Sequence, residues 1–229
     1  MTNHEAIVNR IAALRAWMAT QQVDALIIPH DDDHLGEYLP AEAERLAWAT
    51  GFTCSAGVAI VLADSAVLFV DGRYTVQVRQ QTPASVFQYE HLIECPPLEW
   101  LSNQLDRHQV VAIDPRLHSY SWYQNAKARL AQQEVTLHCV DANPIDTLWS
   151  DRPAPGKAEV ILYADQYTGQ PSVAKREAIA RRLRQQGLDA ALLSQSESIN
   201  WLLNIRGRDI PHFPVVLCFA VIYSNVSVA

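Results

Sequence analysis

One stretch of sequence occurs twice in this chain, and the repetition restricts the fold more than any other feature. In the first copy an arginine-bearing helix leads into Gln21-Gln22-Val23-Asp24-Ala25-Leu26-Ile27. In the second, another leads into Gln185-Gln186-Gly187-Leu188-Asp189-Ala190-Ala191-Leu192-Leu193. Each copy continues to a tryptophan and a glycine: Trp48 and Gly51 in the first, Trp201 and Gly207 in the second. Each then reaches a second apolar segment, with Ala59-Ile60-Val61-Leu62-Ala63-Asp64 matching Ala220-Val221-Ile222-Tyr223-Ser224-Asn225. In the first copy the next strand runs into Asp71-Gly72-Arg73-Tyr74. In the second the sequence reaches Ala229 within the equivalent strand, so that unit is expected to be incomplete. Coincidental likeness between two helix–strand units is the competing reading, because such units recur throughout α/β proteins.

Hydrophobic periodicity fills in the rest. Ile7, Ile11, Leu14 and Met18 recur at helical spacing over residues 5–20. Residues 24–29 read as a short buried strand ended by proline, residues 42–50 as a helix, and 55–62 and 67–70 as strands joined by a turn. A helix is expected over 74–81, a strand over 86–91, and a helix opened by Pro96-Pro97. Strands over 110–113 and 135–140 bracket a helix over 121–132. This alternation predicts an α/β fold, a mixed sheet flanked by helices, followed by a second, related α/β domain. Asp151-Arg152-Pro153-Ala154-Pro155-Gly156 has linker composition and divides the chain into domains 1–152 and 153–229. Beyond it we expect a strand over 160–163, a helix over 172–186 stopped before Gly187, and a buried strand within residues 215–222.

Several function classes are disfavoured. The net charge of −7 argues against nucleic-acid binding, which needs a clustered positive surface. The densest basic run, Lys175 to Arg184, is broken by Glu177 and reads as a solvated helix face. No signal pattern opens the chain and no apolar run is long enough to cross a bilayer, so no membrane partner is expected. Cys54, Cys95, Cys139 and Cys218 lie far apart with no CxxC pair, which suits reduced thiols in a cytoplasmic protein.

A series of short motifs, in order along the whole chain, carries a family resemblance. They are Asp33-His34-Leu35-Gly36-Glu37-Tyr38, Gly51-Phe52-Thr53-Cys54-Ser55-Ala56-Gly57, Asp71-Gly72-Arg73-Tyr74, Ile113-Asp114-Pro115, Leu148-Trp149-Ser150-Asp151-Arg152-Pro153, and Trp201-Leu202-Leu203-Asn204-Ile205-Arg206-Gly207 with Pro214-Val215. Together they resemble the N-terminal, non-catalytic part of the cytosolic Xaa-Pro aminopeptidases (aminopeptidase P) of the creatinase/prolidase superfamily. The resemblance implies a parent enzyme that removes the residue preceding proline from peptides with proline in the second position. It implies hydrolysis by two divalent metal ions, usually manganese, held in a C-terminal domain, and a homodimer. It also implies that this chain supplies cleft walls and subunit contacts and is inactive alone. No Asp/His/Glu set at metal spacing is found here, so no metal site is expected in this chain. A stand-alone binding or assembly module of the same fold is the alternative, and an unrelated α/β hydrolase a more distant one.

Four residues are singled out for substrate binding. Arg73 follows a strand end and a glycine, where side chains are presented outward. By resemblance it approaches the active site and can grip a carbonyl or carboxylate with two prongs. The competing role is a salt bridge with Asp71 that only fixes the turn. His34, Glu37 and Tyr38 are expected at the rim of the cleft or a domain contact, with residues 31–33 forming a solvated loop with helix-capping aspartates rather than a metal loop. Cys54 stands where the family usually has glycine. It would strain the turn if the position needs a positive φ, and it is read either as a reactive thiol or as a small buried filler. Ser119 and Ser121 are read as helix caps rather than nucleophiles, and the tryptophans as core or interface anchors.

Overall fold

The computed structural model describes residues 3–229 and divides into two compact units. The first comprises the chain up to Glu37 together with Glu42–Pro153; the second comprises Tyr38–Ala41 and Ala154–Ala229.

In the first unit, α1 (Asn3–Gln21), β1 (Ala25–Pro29), α2 (Arg45–Thr50), β2 (Val58–Leu62) and β3 (Ala66–Val70) are followed by α3 (Gln77–Gln81), β4 (Gln88–His91) and α4 (Pro97–Ser102). Then come β5 (Val110–Ile113), α5 (Tyr120–Ala131), β6 (Thr136–Cys139) and α6 (Pro144–Leu148). The six strands form one mixed sheet in the order β4-β3-β2-β1-β5-β6. β2 runs antiparallel to both neighbours, and the other pairings are parallel.

Alternating side chains explain why helices cover both faces. Leu26, Ile28, Ala59, Val61, Leu68 and Val70 point to one side, where they meet Ile7, Ile11, Leu14 and Met18 of α1. Ala25, Ile27, Ile60, Val67 and Phe69 point to the other, against Leu101 of α4 and Leu130 of α5. A strand buried on both faces reads as a continuous apolar run, as Ala25–Pro29 does. Each fully buried aliphatic or aromatic side chain contributes up to about 1.5–3 kcal/mol.

The second unit contains β7 (Ile161–Leu162), α7 (Asp165–Thr168), α8 (Ser172–Gln185), β8 (Ala190–Leu193), α9 (Ser196–Leu203), β9 (Ile205–Arg206) and β10 (Ala220–Tyr223). β8 pairs with β10 and β7 with β9, both antiparallel. Leu183, Leu202 and Ile222 form its small core, with Ile179, Ala191, Leu193 and Val228 packed around them.

The repeat is present at the level of register. Ala25 faces Leu62 and Ile28 faces Ala59 in the first unit; Ala190 faces Tyr223 and Leu193 faces Ala220 in the second. These are the same correspondences that the two sequence copies give. The hairpin tips differ in length. The Leu62 amide donates to the Ser65 carbonyl in the first, whereas Tyr223 donates to Ser227, one residue further on, with Val226 at φ 78°.

Two expectations need correction. Gly207 is not the counterpart of Gly51. Gly51 sits at φ 78° as the left-handed residue ending α2, three residues after Trp48, and a Cβ there would lie 2.5 Å from Ile7 Cδ1. The residue in that role after α9, three residues beyond Trp201, is Asn204 at φ 54°. Gly207 meets a different need, since a Cβ on it would lie 2.8 Å from the Val215 carbonyl oxygen. The strand expected within 215–222 is also confined to Ala220–Tyr223. Upstream, side chains take up the backbone groups: Asn200 Oδ1 accepts from the Val216 amide at 2.9 Å and Asn200 Nδ2 donates to its carbonyl at 2.8 Å. Asp209 and Ser196 likewise accept the amides of Leu217 and Cys218.

Candidate functional site

β3 ends at Val70 and the chain turns at once through Asp71-Gly72-Arg73-Tyr74. Asp71 organises the turn. Its Oδ1 accepts the Arg73 amide at 2.9 Å, and its carbonyl accepts the Tyr74 amide at 3.0 Å. Its carboxylate also takes a two-pronged bond from Arg73, Nε to Oδ1 at 3.1 Å and Nη2 to Oδ2 at 2.7 Å. The hydrogen bonds from Arg73 hold the Asp71 carboxyl below its ordinary range. Arg73 therefore braces its own turn, as the competing role supposed, yet its side chain is 60% exposed and its guanidinium stays open to solvent. It lies 5.1 Å from the Tyr74 ring, and Glu37 adds to the negative field around it.

Tyr74 ties this turn to the loop after α2. Its hydroxyl accepts the Ser55 amide at 3.1 Å and lies 3.0 Å from Ser55 Oγ, while its ring meets Phe52 edge-on. Gln81 Oε1 accepts the Thr53 amide from α3. The turn and these side-chain ties also delay the expected helix over 74–81, which begins only at Gln77. Cys54 is absent from the residues of positive φ, so its backbone is unstrained. The thiol packs against the core of the first unit, and burial pushes it up to about 12, which favours the filler reading over the reactive one.

The loop of residues 31–37 differs from the solvated, helix-capping arrangement expected. Asp32 is buried, and its Oδ1 accepts the amides of His34 at 2.9 Å and Gly36 at 3.1 Å. It caps a turn in which Leu35 has φ 53°, not a helix. His34 is half-buried and Glu37 exposed. The structure thus places His34, Glu37 and Arg73 in the first unit. Tyr38, exposed, belongs to the second, where its ring lies 5.6 Å from Phe213.

Other motif residues are braces. Asp114 is buried, and although burial alone raises its carboxyl, Arg116 and Asn143 outweigh that and hold it below the ordinary value. Asp146 joins Arg45 at 2.7 Å and Arg152 at 2.9 Å, and Trp149 stacks on Trp48. Lys175 departs from the solvated-face reading. It is buried and donates to the Trp201 carbonyl at 2.7 Å and to Asn204 Oδ1 at 2.6 Å, closing the end of α9. Trp201 itself is 54% exposed, unlike a core anchor. Ser119 caps α5 by accepting the Trp122 amide.

Among the described residues no three His, Cys, Asp or Glu side chains converge as metal ligands. No described helix is long and apolar enough to cross a membrane.

Comparison with known proteins gives a consistent picture. Family models described as the Creatinase/Prolidase N-terminal domain match residues 10–148 and 151–229. Aminopeptidase P1 of Lotus japonicus is 30% identical over 95% of this chain, and a probable Xaa-Pro aminopeptidase P of Neosartorya fischeri 32% identical over 93%. The chain spans 33% of the length of each. An X-prolyl aminopeptidase from Caenorhabditis elegans, described as a cytosolic enzyme with a di-nuclear active site, superposes on 95% of the chain with a TM-score of 0.89 at 27% identity. The match covers 37% of that protein.

Proposed function

Because the chain belongs to the creatinase/prolidase N-terminal domain family, matched over residues 10–148, we propose that it is the N-terminal, non-catalytic part of an Xaa-Pro aminopeptidase. The parent is a cytosolic homodimer that releases the residue preceding proline from peptides with proline in second position, using two divalent ions, manganese by preference, bound elsewhere in the enzyme. In this reading residues 1–152 and 153–229 are two domains of a substrate-shaping region that is inactive alone. The observation that carries it is the superposition of nearly the whole chain on the aminopeptidase from Caenorhabditis elegans.

Within the parent, Arg73 is assigned to bind substrate, with His34, Glu37 and Tyr38 on the cleft rim. Asp71 fixes the plane of the guanidinium in advance, so little further side-chain freedom is lost when Arg73 takes a substrate carbonyl. Arg73→Lys in the full-length enzyme should lower kcat/KM on an Xaa-Pro peptide at least about tenfold with little change in melting temperature, since the exposed brace to Asp71 contributes little. A lower melting temperature with unchanged turnover would reduce Arg73 to a turn brace. For the chain as a whole, manganese-dependent release of an N-terminal residue by residues 1–229 alone would refute the non-catalytic reading.

A further inference from the structure

Arg206 and Arg208 put two positive charges on one face of the second unit, and no carboxylate meets them there. β9 pairs with β7 so that Arg206 stands opposite Ile161, and residues directly opposite in such a pair point to the same side. Tyr163, two residues beyond Ile161, shares that side, and the Arg206 guanidinium lies 5.0 Å from its ring. Alternation then sorts the residues that follow. Arg206, Arg208 and Ile210 line a cavity of about 580 Å³, with Phe213 and Pro214 on its far wall. The Cβ direction of Gly207 and the side chain of Asp209 point the other way. A Cβ on Gly207 would lie 2.8 Å from the Val215 carbonyl oxygen, and Asp209 Oδ2 accepts the Leu217 amide at 2.8 Å.

Every residue lining this cavity belongs to the second unit, and its volume falls in the range of small-molecule sites. A further cavity, about 410 Å³ beyond β1 and β5 of the first unit, is lined by Asp31, Leu98, Leu117 and Trp122 and holds no such concentration of charge.

Charge decides what the larger cavity accepts. Its titratable lining is Tyr163, Arg206, Arg208 and His212, with no Asp or Glu. The nearest carboxylate in sequence, Asp209, is engaged on the opposite face. Arg206 uses one donor on its own neighbour, Nη1 to the Ile205 carbonyl at 2.7 Å. Among the described residues neither guanidinium forms an ion pair, and no acceptor meets Arg208. Two residues apart on an extended segment, the two stems are separated by roughly 7 Å, a span that two arginine side chains close on a single anion. An ammonium guest would be repelled, whereas an anion between the two relieves their mutual repulsion. A guanidinium grips a carboxylate with parallel N–H groups, and Ile161, Ile210 and Phe213 offer apolar surface to the rest of the guest.

We propose that this cavity binds a small organic carboxylate, its charged end held by Arg206 and Arg208 and its apolar body laid against Tyr163 and Phe213. The assignment does not depend on the peptidase reading.

The test is an NMR titration of the chain at neutral pH with benzoate, acetate and benzylamine. Benzoate should saturate and move the signals of Tyr163, Arg206 and Phe213. Acetate, which lacks the apolar body, and benzylamine, which reverses the charge, should each bind at least about tenfold more weakly. Arg208→Gln removes an exposed charge without a protein partner, so it should weaken benzoate at least about tenfold with the melting temperature unchanged. No saturable benzoate binding, benzylamine or acetate as tight as benzoate, or undiminished benzoate affinity in a folded Arg208→Gln protein would overturn the proposal. Should that variant fail to fold, the wild type decides by salt. Benzoate affinity should fall at least about threefold when sodium chloride is raised from about 20 mM to about 500 mM, and an affinity independent of salt would refute the site.

Discussion

Ile27 and Leu192 hold the same place in the two copies, facing Ile60 and Val221 in strands paired with the same register. Ile27 is nevertheless 4% exposed and Leu192 73%. The opposite face behaves alike in both, since Ile28 and Leu193 each turn toward a core. The difference lies in coverage. α4 and α5 pack on the Ile27 face of the first unit, whereas Leu192 and Tyr223 stay open in the second. Register is therefore set by the local pairing of two strands and their helix, while burial is set by later elements. One sequence pattern produces both, and only the second depends on the rest of the fold.

The largest expected contrast is a matched pair of substitutions. Ile27→Ala should cost about 2–5 kcal/mol in urea unfolding, and Leu192→Ala within about 0.5 kcal/mol of nothing; equal losses would mean that the Leu192 face is covered in solution. Next comes the brace particular to the first unit. Asp146→Ala leaves the buried Arg45 without its carboxylate and should cost about 3 kcal/mol, and a loss below about 1 kcal/mol would show that Arg45 finds water instead.

A smaller effect separates the loops that follow β1 and β8. The counterpart of Asp31 is Ser196, which is buried and hydrogen-bonded to the Cys218 amide at 3.2 Å. Asp31 has a raised folded-state value, about 6 against an ordinary 3.8. The associated stability is present below the unfolded value and disappears as pH rises through 6. Asp31→Asn should therefore stabilise the chain at pH 7, by about 1 kcal/mol once partial exposure is discounted, and the gain should vanish by pH 4. A gain independent of pH would place its origin elsewhere. Smallest is Val226→Gly, which relieves a β-branched residue at positive φ in the longer tip and should add roughly 0.5–1 kcal/mol; destabilisation would show that the Val226 side chain matters more than its backbone.

Much of the sheet was legible because its strands are continuous apolar runs bounded by turn residues, and the paired register followed from the repeat. Legibility failed where side chains replace the backbone ladder. Val215, Val216 and Leu217 look like a strand by composition, but the Val215 amide donates to the Phe213 carbonyl and Asn200 and Asp209 take the amides of Val216 and Leu217. Lys175 looked solvated because its run is basic, and only the fold reveals the two acceptors that bury it. At the candidate site, Arg73 and its Asp71 alternative were visible as near neighbours in sequence. The cavity lined by Asp31, Leu98, Leu117 and Trp122 was not, because the residues after β1 and those after β5 are far apart in sequence and line one space only when the two strands pair.

The longer hairpin tip after β10 marks where this architecture tolerates change in length. An extra residue inside a strand would exchange its inward and outward side chains from that point on. Placed at the tip, it is absorbed by one left-handed residue, and Val228 still bridges Ile222 as Ala66 pairs with Val61. Two copies of a duplicated unit can drift apart in sequence and in loop size while the parity of their strands is conserved. Insertions for labelling or for splicing segments between such copies belong at these tips, where the alternation of the sheet is left intact.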